Sequence, residues 1–226
     1  MKAFYCDHFE LPLPPNHRFP MAKYRLLRER ILAEKLLDDD QLTVPDGAND
    51  AQILLAHNQD YLDRIKSGSL SRAEVRALGF PWSPQLVERS RRSSGATIAA
   101  AEYALHNGTG VNLAGGTHHA GKDYPQGYCV FNDTAIAARH MQQTCTNLER
   151  VLICDLDVHQ GNGTANILHG DSTIFTFSMH GEKNFPLRKA VSDWDIALKD
   201  GTNDETYLAL LEDALPNLWQ KVEPQM

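Results

Sequence analysis

The sequence predicts an α/β fold in which a mainly parallel sheet is covered by helices on both faces, giving three α/β/α layers. From residue 109 onward, segments typical of strands alternate with segments typical of helices, and such alternation favours parallel pairing. In addition, three successive strand segments end in the polar clusters GGTHHAG, DLDVHQGNG and SMHG. Ligands of parallel α/β sheets bind at the carboxyl edge of the strands, so these clusters indicate a functional site.

The N-terminal part begins with a short strand and continues with helices. Residues 2–7, KAFYCD, are typical of a strand, and the Pro-rich stretch after them predicts a loop. Residues 21–40 carry apolar residues at helical spacing, which predicts an amphipathic helix ending in three solvated aspartates. Residues 50–68 predict two short helical pieces.

A long helix separates this part from the alternating strands and helices. It is predicted over residues 83–108, with Ser83 as the N-cap, Pro84 in the first turn and Gly108 at the end. The elements expected after it are the strand GVNLAGG, the helix FNDTAIAARHMQQT, the strands RVLICDLD and STIFTFSMH, and the helix DETYLALLEDALPNLW.

Composition excludes several classes of protein. The chain has 226 residues and a formal net charge of −7, which argues against a nucleic-acid-binding surface. Its four cysteines show no CxxC spacing and are expected to be reduced thiols. No signal peptide and no stretch of about 18 apolar residues is found, so we expect no membrane association and a cytoplasmic location. Without repeats or linkers, we expect one domain over residues 1–226. The sequence does not indicate an oligomeric state.

Asp157 and His159 are the strongest candidate metal ligands. They lie two residues apart, so on an extended strand end their side chains leave the same face. A carboxylate and an imidazole at this spacing suit a divalent ion such as zinc. Asp155 projects with the same parity and can accept an imidazole N–H. The alternative is that Asp155 and Asp157 cap the helix that follows.

The adjacent His118 and His119 are too close in sequence to bind one metal in ordinary geometry. They suit a bound water instead, where one imidazole takes its proton and the other stays charged or protonates a leaving group. Gly115 and Gly116 would let the backbone approach an ion closely. The alternative is a pair of solvent-exposed loop histidines. Four other histidines are expected to be structural or surface residues without partners: His57, His106, His140 and His169.

Three segments in this order, GGTHHAGKDYPQGYCVFND, ICDLDVHQGNGT and TFSMHGEKNFP, resemble the histone deacetylase family of the arginase–deacetylase fold. The segment LPLPPNHRFPMAKY is similar to the N-terminal part of small bacterial and class IV-like members. The resemblance spans nearly the whole chain. It implies that the fold is incomplete at its C-terminus, because the family's third zinc ligand, an Asp, and its oxyanion-stabilising Tyr lie on strands after the equivalent of Trp219. We therefore expect the N-terminal two thirds to three quarters of the family domain.

The resemblance implies a catalytic role for four residues and a metal role for two. His118 resembles the general base, and His119 resembles its partner, a general acid or electrostatic stabiliser. Asp155 matches the acid that orients His118, and Asn162 stands where some relatives have an Asp behind His119. The implied zinc ligands are Asp157 and His159.

The resemblance also implies substrate-binding residues and a second cation. Gly127 and Tyr128 match the wall of the substrate channel, where the Gly127 carbonyl receives the acyl-lysine N–H, and Phe185 matches the facing aromatic. A structural potassium site is implied by the Ser178 hydroxyl and four backbone oxygens, those of Asp155, Asp157, His159 and Met179.

The implied reaction is the zinc-dependent hydrolysis of an acetyl- or acyl-lysine amide in a protein. Two alternatives are a deacetylase of a small acetylated amine such as an acetylpolyamine, and a catalytically impaired protein that binds acyl-lysine. A binuclear manganese ureohydrolase of the same fold is disfavoured, because it needs Asp-x-His-x-Asp and Gly161 stands where the second Asp would be. Asp193, Asp195 and Asp204 are expected to be solvated loop acids and to replace no ligand. The sequence does not distinguish zinc from iron.

Overall fold

Every pair of named strands in the computed structural model, which describes residues 1–226, is parallel. The chain divides into two units, Met1–Met141 and Gln142–Met226, and each holds a three-stranded sheet. The first sheet has the order β2-β1-β3, with β1 Lys2–Phe4, β2 Leu42–Thr43 and β3 Gly110–Asn112. The second has the order β4-β5-β6, with β4 Val151–Asp155, β5 Ile174–Gly181 and β6 Trp194–Leu198. The predicted parallel pairing is confirmed.

Helices flank these sheets, although none separates β5 from β6. None of them combines the length and the hydropathy that a membrane-spanning helix needs. Eight α-helices are formed: α1 Ala22–Ala33, α2 Asp50–Ile53, α3 Gln59–Ser67, α4 Arg72–Leu78, α5 Pro84–Asn107, α6 Asp133–Thr144, α7 Asn162–Leu168 and α8 Asp204–Val222. The single domain predicted over residues 1–226 stays a prediction.

Helix α5 is the main support of the first sheet, and its predicted ends are confirmed. The Ser83 side chain accepts a hydrogen bond from the Leu86 N–H, Pro84 is the first helical residue, and Gly108 is the C-cap. The helix packs on β1 through a buried cluster of Phe4, Ala96 and Ala100. Ala96 and Ala100 are small, so the helix can approach the sheet closely.

Helix α8 covers the second sheet. Its Ala214 and Leu218 form a buried cluster with Phe177 and Met179 of β5. These two β5 residues lie two apart and therefore face the same side of the sheet. On the free side of β4, the Leu152 N–H donates to the Met226 carbonyl (2.8 Å).

Several element boundaries differ from the prediction. The helix expected through residue 40 ends at Ala33, and none of its residues is buried: Leu26 and Leu27 are 54% and 44% exposed. The prediction of an amphipathic helix in this segment is therefore wrong, although its three aspartates are exposed as predicted. Helices α4 and α7 and strands β2 and β6 were not predicted, because each is short and lacks a clear periodic pattern.

The contact of α5 with the loop at residues 46–48 gives a prediction about a glycine. A Cβ on Gly95 would lie 1.9 Å from the Asp46 carbonyl oxygen, whereas a Cβ on Gly47 meets its nearest atom at 3.4 Å. Helix propensity alone would favour Gly95→Ala by up to about 1 kcal/mol. We expect the steric overlap to outweigh this gain in helix propensity and to lower the free energy of unfolding by about 1–3 kcal/mol.

Urea denaturation of Gly95→Ala, with Gly47→Ala as the control, measures this effect. The control should stay within about 0.5 kcal/mol of the unmodified chain. A stabilised Gly95→Ala variant would show that α5 and this loop are not in close contact.

Candidate active site

The histidine pair lies in the loop after β3 and is buried. His118 is 8% exposed and His119 is 5% exposed, and their ring centroids lie 4.1 Å apart. The alternative of two solvent-exposed loop histidines is therefore wrong. The two rings therefore lie side by side, as expected of a pair that acts on one bound water.

The Asp133 carboxylate holds this loop in place. Asp133 is 1% exposed and is the first residue of α6. Its two oxygens accept from the backbone N–H groups of Gly116 (3.0 Å) and Thr117 (2.8 Å) and from the hydroxyls of Thr117 and Thr97 (2.6 Å each). A carboxylate at a helix N-terminus is also favoured by the helix dipole. The sequence prediction missed this residue, although the acid at the start of the FND helix was a usable signal.

The structure gives a steric reason for glycine at positions 115 and 116. A Cβ on Gly115 would lie 2.8 Å from the Asp133 carboxylate and 2.9 Å from the Asn112 amide. Gly116 has φ +82°, which disfavours residues with a side chain. Both glycines thus let the loop close on Asp133, and their proposed approach to an ion stays a prediction.

His57 supports the other end of the same loop. It is 3% exposed, and its Nε2 accepts a hydrogen bond from the Asn132 N–H (2.9 Å). Burial lowers the pKa of His57 to about 4, an effect larger than the opposing one of the Gly121 and Lys122 backbone. The imidazole is therefore neutral, as an acceptor must be. The expectation that His57 and His140 lack partners is wrong, since His140 Nε2 lies 2.9 Å from a Glu102 carboxylate oxygen.

Gly127 and Tyr128 form a strained turn held by α4. Both have left-handed backbones, with φ 55° and 67°, a conformation that costs about 1–3 kcal/mol for a residue such as tyrosine. Their N–H groups donate to the carbonyls of Ala77 (2.9 Å) and Leu78 (2.7 Å), which holds the turn.

The Tyr128 ring is part of an aromatic wall. Its centroid lies 5.0 Å from the rings of Phe19 and Phe80 and 6.3 Å from that of His17. The Tyr128 side chain is nevertheless 37% exposed. One face of the ring is thus fixed by packing while part of it remains accessible, as a channel wall requires.

In the second unit, the aspartates after β4 bind backbone groups two residues further on. Asp155 Oδ1 accepts from the Asp157 N–H (3.1 Å), and Asp157 Oδ1 accepts from the His159 N–H (2.7 Å). Helix α7 starts at the N-cap Gly161 without a side-chain cap. The alternative that these aspartates cap the following helix is therefore wrong.

The side chains of Asp157 and His159 bring an oxygen and a nitrogen atom close together. Asp157 Oδ1 lies 3.1 Å from His159 Nδ1, and both side chains are about half exposed. Two ligands of a tetrahedral zinc ion lie about 3.3 Å apart, given bonds of roughly 2.0–2.1 Å. The pair therefore fits one edge of such a site. No group of three or more His, Cys, Asp or Glu side chains in this chain is arranged to hold a metal.

Of the other predicted site residues of this unit, Phe185 contacts the pair. The Phe185 ring is 6.2 Å from the His159 ring at an interplanar angle of 80°, and Phe185 is 38% exposed. Asn162, the first residue of α7, is 6% exposed. Ser178 pairs in register with Asp155, and its hydroxyl lies 3.0 Å from His180 Nδ1.

Met179, predicted with Ser178 to contribute to the potassium site, is 1% exposed. Burial lowers the pKa of His180 and outweighs the opposing charge of Asp195. This favours a neutral imidazole beside Ser178. The potassium site itself stays a prediction.

Asp195, expected to be a solvated loop acid, lies instead on β6 and accepts from Gln160 Nε2 (2.9 Å) and from the Ser192 N–H (2.9 Å). This prediction failed because Gln160 lies 35 residues away in sequence. Asp193 is exposed in the loop, as predicted, and it also accepts from the N–H (2.7 Å) and the hydroxyl (2.8 Å) of Thr176. Asp204 is exposed, as predicted.

Within each unit, the structure brings some of the predicted residues into contact. In the first, His118 and His119 touch, and Tyr128 lies in the aromatic wall. In the second, His159 contacts both Asp157 and Phe185.

Comparison with known proteins identifies similar sequences. Residues 17–226 match the model of the histone deacetylase domain. An uncharacterised protein of Picosynechococcus sp. is 43% identical over 222 residues, which cover 98% of this chain and 74% of that protein. Histone deacetylase 2 of Arabidopsis thaliana is 26% identical over 219 residues, which cover 93% of this chain and 56% of that protein.

A solved structure shows the same fold. A histone deacetylase homologue from Aquifex aeolicus matches with a TM-score of 0.85 at 24% identity, covering 100% of this chain and 66% of that one. The predicted α/β class of the arginase–deacetylase fold is thereby confirmed. The chain spans 56% to 74% of the lengths of these three proteins.

The neutral, buried His57 gives a pH-dependent stability. Its pKa is about 4 in the folded chain and about 6.5 when unfolded. Below pH 6.5 the unfolded chain therefore binds a proton that the folded chain does not, and stability falls as the pH falls. From pH 7 to pH 5 this loss amounts to about 2 kcal/mol.

In His57→Gln the amide can still accept from the Asn132 N–H but cannot titrate. We expect this variant to be less stable at pH 7, with a deficit that shrinks by about 2 kcal/mol at pH 5. Urea midpoints of both chains at the two pH values test this. An equal deficit at pH 7 and pH 5 would contradict it.

Proposed function

Because the chain belongs to the histone deacetylase domain family, we propose that it carries the catalytic residues of a zinc-dependent hydrolase that removes acetyl or other acyl groups from lysine side chains of proteins. The observation that carries this proposal is the Asp157–His159 pair, whose donor atoms lie 3.1 Å apart beside the Phe185 ring. An exposed aromatic side chain beside the proposed metal ligands supports this function, because hydrolysis of an amide on an apolar stem requires both.

Asp157 and His159 are the residues that would hold zinc. The His159 ring must lose its Nδ1 proton to act as a ligand, and the backbone bond from the His159 N–H to Asp157 orients both side chains. A bound zinc ion would supply Lewis-acid polarisation of the amide carbonyl.

The histidine pair supplies the proton transfers. We assign His118 as the base that takes a proton from the attacking water and His119 as the group that stabilises or protonates the leaving amine. Their burial keeps bulk water from competing for these protons. Asp155 and Asn162 keep the supporting roles that the family resemblance implies.

Substrate binding is assigned to the exposed aromatic residues. The rings of Tyr128 and Phe185, 37% and 38% exposed, offer apolar surface to the four-carbon stem of lysine. The Gly127 carbonyl is assigned to the substrate N–H, and its turn is held by the backbone bonds to α4.

A second candidate is a catalytically impaired protein that binds acyl-lysine. It is favoured by one observation: no three metal-binding side chains of this chain are grouped, whereas catalytic zinc sites normally have three protein ligands. Zinc stoichiometry and hydrolysis of an acetyl-lysine peptide by this chain separate the candidates. Peptide binding without hydrolysis would support the second.

The metal assignment predicts the effect of Asp157→Ala. Removing one of two donors should abolish most zinc binding, so elemental analysis after dialysis against zinc should find little metal in this variant. Asp46→Ala is the control, because the Asp46 side chain is fully exposed. Equal zinc content in Asp157→Ala and the unmodified chain would refute the assignment.

The base assignment predicts the effect of His118→Ala. This variant should keep its zinc and lose about 10²–10⁴ in turnover of an acetyl-lysine peptide. His106→Ala, which removes an exposed histidine, should leave turnover unchanged. Near-normal turnover in His118→Ala would move the base role to His119.

A further inference from the structure

The loop between β5 and β6 carries Phe185, and a lysine in the same loop binds the backbone on both sides of that residue. Lys189 Nζ donates to the carbonyl of Asn184 (2.6 Å) and to that of Pro186 (2.7 Å). These two carbonyls directly flank Phe185 in sequence. Bonds from an ammonium group are stronger than neutral ones, so Lys189 fixes the backbone from which the Phe185 ring projects.

A second residue ties this loop to the candidate metal ligands. Gln160 follows His159 in sequence and is 1% exposed. Its side-chain amide binds both backbone groups of Ala190: Nε2 donates to the carbonyl (3.0 Å), and Oε1 accepts from the N–H (2.8 Å). Ala190 follows Lys189, so the two anchors are consecutive along the loop.

Apolar packing holds only part of this loop. Pro186 is buried, whereas Leu187 is 91% exposed and Val191 is 72% exposed. The polar bonds therefore act together with the packing of Pro186 to give the loop a defined position. The third bond of Gln160, to Asp195 Oδ1 of β6 (2.9 Å), connects this anchor to the sheet.

We propose that Gln160 and Lys189 are positioning residues that hold Phe185 against His159 and thereby fix the aromatic ring that Phe185 contributes to the acyl-lysine channel. This inference rests on the proposed function for the role of the channel. The clamp itself rests only on the bonds of the two side chains and on the ring contact between His159 and Phe185.

The clamp is tested without any need for turnover. 4-Fluorophenylalanine at position 185 reports its surroundings through its ¹⁹F chemical shift, which the neighbouring His159 ring displaces. We expect Lys189→Met to move this signal toward the shift of a solvent-exposed ring and to narrow the line. Lys189→Arg, which restores the donor, should largely recover the original signal.

Lys183→Met is the matched control. Lys183 lies in the same loop and carries the same charge, but its ammonium group binds the Asp200 carboxylate (2.9 Å) and not the backbone around Phe185. Its loss should leave the ¹⁹F signal unchanged. Gln160→Met, of similar length, should move the signal in the same direction as Lys189→Met.

Peptide binding then tests the channel. Anisotropy of a labelled acetyl-lysine peptide should show a roughly tenfold weaker affinity for Lys189→Met, equivalent to about 1.4 kcal/mol. Because Lys189 acts through Phe185, adding Lys189→Met to Phe185→Ala should weaken binding no further. A purely structural role would instead give additive losses.

The outcomes separate the two proposals. An unchanged ¹⁹F signal in folded Lys189→Met overturns the clamp, and Gln160→Met decides in the same way if Lys189→Met does not fold. A shifted signal with unchanged peptide affinity also overturns the channel role. A chain without zinc binding or hydrolysis contradicts the proposed function, while the ¹⁹F result stands by itself.

Discussion

Carboxylates that accept backbone N–H groups hold the loops on which the candidate site depends. Asp133 binds Gly116 and Thr117 in the loop of the histidine pair. Asp155 and Asp157 do the same in the loop after β4, and Asp195 does so in the loop that carries Phe185. Such loops have no neighbouring strand to satisfy their N–H groups, and an unpaired buried group is costly. These carboxylates therefore have a structural role in the loops, in addition to any catalytic role of the same residues.

This use of acids links structure and function in the same atoms. Asp157 Oδ1 accepts from the His159 N–H and also faces His159 Nδ1. The turn that orders the backbone thus also brings these two side-chain atoms together. The backbone of Tyr128 is also held by hydrogen bonds. Its conformation is left-handed, and its partners are carbonyls of α4 instead of a carboxylate.

Features with local causes could be predicted from the sequence, and those with distant causes could not. The ends of α5 follow from Ser83, Pro84 and Gly108, whose effects act within one helical turn. The strand VLICD and the clusters after it were recognised from runs of neighbouring residues. By contrast, the roles of Asp133 and Gln160 depend on partners up to 36 residues away. Helix α1 ends at Ala33, two residues before Lys35 with φ +54°, and no glycine or proline marks this end.

The position of β1 in the middle of its sheet has a consequence for synthesis. Lys2–Phe4 pairs with Leu42–Thr43 on one side and with Gly110–Asn112 on the other. During synthesis β1 therefore lacks its neighbour β3 until more than 100 further residues are made, on the order of 10 s at typical rates. In the second unit, β4 and β5 pair at a separation of only 23 residues. During this delay the nascent β1 has an unpaired edge. Such an edge can pair with another chain, so this part of the chain would gain most from a chaperone that shields extended segments.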